Sequence, residues 1–274
     1  MPEDSIDHID FEDLNNSALS QPLVRHIYTA DPSAHYFDGK IYIYPSHDID
    51  AGDAFDDLGS HFAMEDYHVI SMDSIHGEAV DNGIALHVND VSWAEQQMWA
   101  PDANEKDGTF YLFFPAKDYN GIFRIGVAIS DSPTGPFKAQ PNAIQGSFSI
   151  DPAVFKDDDG SYYMYFGGLW GGQLQRWRTD VFNTAHPDSP TAFIPDDDEP
   201  ALLPYVAKMS TDLLEFDEKP KTIQILDENG NLLLAGDKAR RFFEASWLHK
   251  HNGKYYFSYS TGDTHFICYA IGDN

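Results

Sequence analysis

Four segments of the chain share one pattern, in which an acidic residue is followed by an apolar stretch, a turn glycine and a run rich in tyrosine and phenylalanine. The copies are DPSAHYFDGKIYIYPSHD from Asp31, PDANEKDGTFYLFFPAKD around Asp102, DPAVFKDDDGSYYMYFGGLW from Asp151 and EASWLHKHNGKYYFSYSTGD from Glu244. A repeated unit of this kind constrains the fold more than any single residue does, because each copy must bury its apolar face against a neighbouring copy.

Each copy has the pattern of a β-hairpin. The pairs at 38–39, 107–108, 159–160 and 252–253 are Asp-Gly or Asn-Gly, which favour the positive φ angles of tight hairpin turns. The runs that follow them, IYIY, FYLFF, YYMYF and YYFSY, are rich in strand-forming residues. A further strand is predicted after each hairpin, in segments that include His68, Gly126, Val206 and Phe266. Repeated antiparallel sheets of three or four strands predict an all-β chain arranged as a β-propeller.

The repeats also define the organisation of the chain. At 274 residues it is predicted to form a single catalytic domain over 1–274, since all-β domains of this length are common. Residues 1–22 precede the first repeat and are predicted to be a polar lead-in. Residues 171–203, rich in proline and aspartate, interrupt the third unit between its second and third strands and are predicted to be an insertion at the rim.

Charge restricts the classes of partner. The chain carries 17 basic and 45 acidic side chains, a formal net charge of -28, which disfavours nucleic acid and anionic membrane surfaces but is compatible with a neutral sugar. There is no apolar run of the length that a membrane helix needs, and the N-terminal sequence is acidic where a signal peptide would be basic. These features predict a cytoplasmic protein, with a processed secreted form as the alternative. The oligomeric state is left open.

The repeated acids point to a site on the propeller axis. The first strand of each blade lines the channel of a propeller, so Asp31, Asp151 and Glu244 are predicted to occupy equivalent positions and to converge. Converging carboxyl groups raise the pKa of at least one member, and glycoside hydrolysis uses such a pair as base and acid. An Asp-Pro pair at a strand entrance is also explained as a turn or cap. Asp102 follows its proline instead of preceding it and is predicted to be structural or to support the catalytic residues from behind.

Taken together, the motifs ADPSAHYFDGKIYIYPSHD, MWAPD, AISDSPTGPF, SIDPAVF and FFEASWLHKHNGKYYFSYS resemble glycoside hydrolase family 43, the five-bladed propellers that include β-xylosidases and α-L-arabinofuranosidases. The resemblance runs from about residue 22 to the last residue. It implies an inverting mechanism in which Asp31 is the general base, Glu244 the general acid and Asp151 a third carboxylate that orients the acid. Inversion in turn implies that base and acid stand roughly 6.5 to 9.5 Å apart, with water between them.

The resemblance also implies the surroundings of the pocket. Trp99, in MWAPD, resembles an aromatic wall against the sugar ring, although a core tryptophan between blades is an alternative. Trp170 and His47, at the ends of second strands, are expected at the pocket mouth; for His47 a structural role or a place near a metal is equally compatible. Calcium is implied without a defined ligand set, and no organic cofactor is expected. The resemblance implies five blades, so the last blade is expected to be missing from the sequence of four repeats.

The predicted function is therefore an inverting exo-glycosidase that releases terminal xylose from xylo-oligosaccharides, terminal α-L-arabinofuranose, or both. An endo-arabinanase is the nearest alternative and would need an open groove where an exo enzyme has a pocket. A non-catalytic carbohydrate-binding propeller is the alternative from another class, although it would have no need of three converging carboxyl groups. If the 171–203 insertion walls the rim, it favours the pocket.

Overall fold

The computed structural model describes residues 13, 16–18, 20–54, 56, 58–264 and 266–273. The first sheet, blade I, contains β1 (Tyr28–Phe37), β2 (Lys40–Asp48), β3 (Asp66–Met72) and β4 (Val80–His87). Blade II contains β5 (Ala94–Gln96), β6 (Asp102–Lys106), β7 (Thr109–Asp118), β8 (Phe123–Ser130) and β9 (Lys138–Ala139). Blade III contains β10 (Ala153–Lys156), β11 (Tyr162–Phe166), β12 (Tyr205–Lys208) and β13 (Lys221–Thr222), and blade IV contains β14 (Glu244–His251), β15 (Lys254–Thr261) and β16 (Phe266–Gly272). Short 3-10 turns cover Val88–Asp90, Trp170–Gly172 and Leu174–Trp177.

The four sheets confirm the all-β prediction, with one antiparallel sheet for each repeat. Strands follow chain order within each sheet, except that β5 and β6 both pair with β7 and together make the inner edge of blade II. The predicted additional strands are confirmed as β3, β8, β12 and β16. The described residues form these four blades, and the fifth blade that the resemblance implies is not among them.

Turn chemistry explains the hairpins. In the turns at 38–39, 107–108 and 252–253 both residues have positive φ, between 47° and 87°, which is the geometry of two-residue hairpin turns whose twist matches that of the strands. Asparagine and aspartate tolerate this region and glycine has no Cβ to oppose it. The third hairpin is looser, with residues 157–161 between its strands and positive φ at Gly160.

The blades stack face to face through three apolar clusters. Because successive side chains of a strand point to opposite faces, Leu112 and Phe114 of β7 pack towards blade I while Phe113 packs towards blade III. A third cluster joins blades III and IV and includes Phe243 and Phe257. Each large apolar side chain that is fully buried contributes about 1.5–3 kcal/mol, so these contacts fix how the inner strands are placed around the axis.

The predicted insertion lies between β11 and β12, as expected. Arg176, which is almost fully buried, organises it by donating to the backbone carbonyl oxygens of Asn183, Ala185, His186 and Ser189. The far end of the insertion joins the segment before blade IV, where the Ala201 N–H donates to the Leu233 carbonyl. The insertion is therefore anchored at its start by Arg176 and at its end by the segment before blade IV, while residues 183–188 between them are exposed.

The remainder of the chain includes the N-terminal segment and a few short helical segments. The predicted lead-in, residues 1–22, falls largely outside the described residues. Within the described part of the chain, the helical segments are too short or too polar to cross a lipid bilayer.

Candidate active site

The inner strands carry a backbone irregularity where the acidic residues lie. In blade I the pairing passes from Ala30 with Ser46 to Ser33 with Tyr44, so residues 31–32 form a bulge. Asp31 has φ of 46° and Asp151 has φ of 55°, a region that L-residues other than glycine rarely occupy. Such backbone strain is concentrated at functional sites, where it re-aims a side chain out of the regular pleat.

Blade IV has the same bulge, but its acid is displaced by one residue. Glu244 pairs with Ser260 and Trp247 with Ser258, and it is Ala245 that has the positive φ, 59°. The register therefore aligns Ala245 with Asp31, and Glu244 with Ala30. The prediction that all three acids occupy equivalent positions is wrong for Glu244. Both positions line the same cavity, as Ala30 and Asp31 do in blade I and Glu244 and Ala245 do in blade IV, so an acid reaches it from either position.

This cavity has a volume of about 850 Å³ and lies at the meeting point of the four blades. Asp31, Asp151 and Glu244 all line it, so the structure brings the three predicted acids together. Further acidic and aromatic side chains in its lining are Asp48, Asp56, His61, Phe62, Trp99, Asp102, Trp170, Phe243 and Asp263. The combination of acidic groups and aromatic rings in its lining gives it the character of a sugar-binding cavity.

The three carboxyl groups differ in how strongly they favour protonation. Burial, and then the charges of Asp151 and Asp31, raise the pKa of Glu244 well above its usual value. Burial and the charge of Asp31 raise the pKa of Asp151 to about 7. Burial and then Asp48 raise the pKa of Asp31, which keeps the most contact with solvent of the three. The site therefore favours a protonated Glu244 facing an ionisable Asp31.

Asp151 is tied directly to the strand that carries Glu244. Its Oδ2 accepts a hydrogen bond of 2.8 Å from the backbone N–H of Ala245. This bond stabilises the ionised form of Asp151 and fixes the bulge from which Glu244 projects. Asp151 thus acts on Glu244 both through its charge and through the backbone.

The chain is similar to known glycoside hydrolases over nearly its whole length. The profile described as Glycosyl hydrolases family 43 matches residues 20–272. The chain belongs to this family. It is 57% identical to a xylosidase/arabinosidase of Bacteroides ovatus, over 90% of this chain and 74% of that protein.

Two solved family 43 structures have the same fold. A β-xylosidase/α-arabinofuranosidase from a compost microbial metagenome, crystallised with xylotriose in a calcium-free form, has 64% identity and a TM-score of 0.89, covering 93% of this chain and 76% of that one. An enzyme from Xanthomonas citri in complex with xylotriose has 52% identity and a TM-score of 0.85, covering 96% of this chain and 75% of that one. The four blades described above are thus part of a family 43 propeller.

Asp102 has a structural place in this family 43 chain, as its departure from the repeat predicts. The residue is 1% exposed. Its Oδ1 lies 2.7 Å from His35 Nε2 on blade I, and its Oδ2 accepts a 2.6 Å hydrogen bond from the Val154 N–H on blade III. Both carboxylate oxygens are therefore used to hold three blades together beneath the cavity.

Trp99 forms a fixed wall of the cavity. Its Nε1–H donates to the Phe62 carbonyl at 2.9 Å, and its ring centroid lies 4.6 Å from that of Phe123. A Cβ on Gly59 would lie 2.6 Å from the indole, so only glycine allows this approach. Trp99 therefore lies in the wall of the cavity, as predicted, and its indole N–H is satisfied by the Phe62 carbonyl.

Trp170 also lines the cavity, at the start of the 171–203 insertion. It has positive φ, 53°, and its ring lies 5.5 Å from that of Phe243, edge to face. Of this insertion only the first residues, up to Gly172, reach the cavity. The expectation that the insertion walls the rim thus holds for its first turn and not for the remainder.

His47 requires a correction, since the structure does not bring it into the cavity. It precedes Asp48 on β2, and successive strand residues point to opposite faces. Asp48 lines the cavity, so His47 faces away, and its Nδ1 lies 3.0 Å from Asp66 Oδ1. Asp48, its neighbour at the same strand end, lines the cavity in place of His47.

The segment between β2 and β3, residues 49–65, supplies the wall that sequence reasoning missed. Asp56, His61 and Phe62 come from it, and Asp56 shapes it by accepting hydrogen bonds from the backbone of Leu58 and Ser60. The signal was its length, because loops longer than about 12 residues in compact domains are commonly functional.

The described residues do not fit a calcium cage in the cavity. The one group of three His, Cys, Asp or Glu side chains in the described part of the chain whose ligand atoms all lie within 4.8 Å of one another is His47, Asp66 and His68, outside the cavity. Calcium prefers six to eight oxygen ligands, and two of these three donors are nitrogens. No catalytic step is therefore assigned to calcium.

Replacement of Asp151 by asparagine is expected to stabilise the fold. A carboxyl whose pKa is about 7 when folded and near 3.8 when unfolded binds more protons in the folded state between about pH 4 and 7, so the free energy of unfolding falls as pH rises through that window. Asparagine removes this loss and still offers an oxygen to the Ala245 N–H. We expect about 1–3 kcal/mol of added stability at pH 7.

Thermal unfolding from pH 4 to 8 measures this effect. The Asp151→Asn variant should have a higher Tm at pH 7 and a flatter pH dependence than the parent. Asp73→Asn is the matched control, since Asp73 is exposed and its ion pair with Lys40 is of the weak surface kind. An unchanged pH slope in Asp151→Asn would contradict the charge assignment.

Proposed function

We propose that this protein is an exo-acting glycoside hydrolase that releases terminal xylose from xylo-oligosaccharides and also accepts terminal α-L-arabinofuranose. The observation that carries the proposal is the cavity in which Asp31, Asp151 and Glu244 meet with pKa values raised by burial and by one another. The names of the relatives support the two sugars, and the xylotriose complexes of the similar structures support an oligosaccharide ligand.

In the proposed reaction Asp31 acts as the general base and Glu244 as the general acid. A water molecule attacks the anomeric carbon and gives a proton to the Asp31 carboxylate. The bond between that carbon and the glycosidic oxygen breaks, and the oxygen takes the proton of the Glu244 carboxyl. One water is consumed, and the configuration at the anomeric carbon inverts because attack and departure occur on opposite faces.

The environments of the two carboxyl groups suit these two assignments. Glu244 is the group whose pKa is raised by burial and two neighbouring charges, so it retains a proton to donate near neutral pH. Asp31 has the most contact with solvent, which provides access for water and favours its ionised form relative to Glu244. Asp151 positions the acid through its bond to the Ala245 N–H and holds the proton on Glu244 through its charge.

An exo mode is proposed because several elements of the chain contribute walls around the three acids. Trp99, the 59–62 segment and the first turn of the 171–203 insertion each contribute to the lining. An endo-arabinanase would need an open groove through this region, and a carbohydrate-binding propeller would not need to hold three carboxyl groups together against their mutual repulsion. Neither alternative is favoured.

A hydrolysis panel tests the proposal. The purified protein is given xylobiose, p-nitrophenyl β-xyloside, p-nitrophenyl α-L-arabinofuranoside and linear arabinan, each with added calcium and with a chelator. Proton NMR should show α-xylose as the first sugar released from p-nitrophenyl β-xyloside, since inversion converts a β-linkage and this substrate yields no second xylose. Appearance of β-xylose first would contradict the inverting assignment. Rapid shortening of arabinan with no release from xylobiose would replace the proposed function with the endo alternative.

A further inference from the structure

A second cluster of ligand-type side chains lies in blade I, outside the cavity. It consists of His47 on β2 and Asp66 and His68 on β3, with one ligand atom from each within 4.8 Å of the others. Their side chains are 22%, 8% and 10% exposed. This protected setting distinguishes the cluster from the many solvated acidic groups of a chain with net charge -28.

Strand register brings the three side chains together. Asp66 and His68 are two residues apart and therefore project from the same face of β3. Ser46 pairs with Tyr67, which sets His47 beside Asp66 across the two strands. The rings of His47 and His68 lie 4.9 Å apart at an angle of 65°. The cluster is thus fixed by the sheet and does not depend on a loop.

His68 is oriented by a further carboxylate. Its Nδ1 lies 2.9 and 3.0 Å from the two oxygens of Asp81, and Asp81 is itself held by the Gly83 N–H at 2.9 Å and by His26 Nε2 at 2.7 Å. A carboxylate accepts, so the proton of a neutral His68 lies on Nδ1 and its Nε2 presents a lone pair. A carboxylate that fixes the tautomer of a ligating histidine is a recurrent feature of metal sites.

The lone pair of Nε2 faces another acceptor. Asp66 Oδ1 lies 3.6 Å from His68 Nε2 and 3.0 Å from His47 Nδ1. An acceptor nitrogen and a carboxylate oxygen repel each other unless a proton or a metal ion lies between them. In a tetrahedral zinc site with bonds of about 2.0–2.1 Å, neighbouring ligand atoms lie about 3.3–3.4 Å apart, a distance that 3.0 and 3.6 Å bracket.

We propose that His47 Nδ1, His68 Nε2 and Asp66 Oδ1 bind a divalent transition metal, Zn²⁺ above all, with water as the fourth ligand. Two imidazoles and one carboxylate suit zinc and its first-row neighbours, whereas Ca²⁺ and Mg²⁺ require sets of oxygens. The ion would join β2 to β3 and, through the Asp81 bond to His68, to β4. The site is structural and independent of the proposed glycosidase activity.

Calorimetric titration of the chelator-treated, purified protein with Zn²⁺, Ca²⁺ and Mg²⁺ tests the site. We expect one Zn²⁺ per chain, a Tm that rises with Zn²⁺, and no comparable response to Ca²⁺ or Mg²⁺. His47→Gln and His68→Gln should weaken Zn²⁺ binding at least about 100-fold, and Asp81→Asn by about 10- to 100-fold. His87→Gln is the matched control, because His87 belongs to the same blade and lies 3.9 Å from Glu65, outside the cluster.

The proposal remains testable if a variant fails to fold. Co²⁺ bound to the unaltered protein should give the intense visible absorption of a four-coordinate site with nitrogen ligands, and Zn²⁺ should displace it. No zinc binding up to 100-fold molar excess, zinc binding unchanged in folded His68→Gln, or the weak spectrum of six-coordinate Co²⁺ would each overturn the assignment.

Discussion

Replacement of Glu244 by glutamine is expected to slow hydrolysis of xylobiose by about 10²- to 10⁴-fold, the usual contribution of a general acid. Glutamine preserves the shape of the side chain but has no proton to transfer. The departing oxygen of xylobiose is a poor leaving group and needs that proton as its bond breaks. An aryl xyloside with a stable phenolate leaving group needs it far less, so its turnover should fall much less.

The ratio of the two losses is the decisive measurement. kcat/KM should be determined for xylobiose and for a series of aryl β-xylosides of decreasing leaving-group pKa, in the parent and in Glu244→Gln. The variant should show a steep dependence on leaving-group pKa where the parent is nearly flat. Glu78→Gln serves as control, since Glu78 is exposed and outside the cavity. An equal loss on all substrates would remove Glu244 as the acid.

The same variant should change the pH profile. Activity of the parent falls at high pH as Glu244 loses its proton, and the raised pKa of Glu244 places this limb well above the range of an ordinary glutamate. Activity falls at low pH as Asp31 is protonated. On the aryl substrate, Glu244→Gln should lose the alkaline limb and keep the acid limb.

Local signals explain why much of the fold could be predicted from the sequence. The hairpins follow from Asp-Gly and Asn-Gly pairs, whose preference for positive φ is a property of two residues and their backbone. Convergence of Asp31 and Asp151 followed from repetition, because equivalent positions of successive blades must meet at the axis. Asp102 differs from the other repeats in following its proline, and in the structure its carboxylate links blades I and III instead of joining the catalytic acids.

The register of Glu244 could not be predicted from the sequence, because the lengths of the hairpin turns vary. Asp31 stands eight positions before Gly39, and Ala245, not Glu244, stands eight before Gly253. The number of residues between the acid and the turn glycine therefore indicates the shift of Glu244. Asp151, however, stands nine positions before Gly160, because its hairpin turn is longer. A difference of one residue in this count can come from a shifted acid, as at Glu244, or from a longer turn, as after Asp151. Only the pairing of the strands in the structure tells these two cases apart.

His47 illustrates a second limit, which is the direction of a side chain near a strand end. The sequence places both His47 and Asp48 at the correct rim, and a shift of one residue decides which of them faces the cavity. The structure gives the cavity to Asp48 and leaves His47 to the cluster with Asp66 and His68. A bulge or a strand end elsewhere in the chain would mislead sequence reasoning in the same way.

Replacement of Asp31 by asparagine is expected to reduce kcat on xylobiose and on aryl xylosides alike, by about 10²- to 10⁴-fold, because every substrate needs water to be deprotonated. Sugar binding should persist, since the aromatic walls remain. Trp99 and Trp170 both line the cavity, so quenching of tryptophan fluorescence by xylobiose can report binding in the inactive variant. Asp38→Asn is the matched control, because Asp38 is an exposed turn residue whose positive φ asparagine tolerates.

A further readout separates loss of the base from simple damage to the site. The charge of Asp31 contributes to the raised pKa values of both Asp151 and Glu244. Asparagine removes that charge, so Glu244 should lose its proton more easily and the alkaline limb of the residual activity should move to lower pH. Full turnover in Asp31→Asn would exclude it as the base. Low turnover with an unshifted alkaline limb would mean that Asp31 and Glu244 do not sense each other, and the shared cavity would then lose its electrostatic basis.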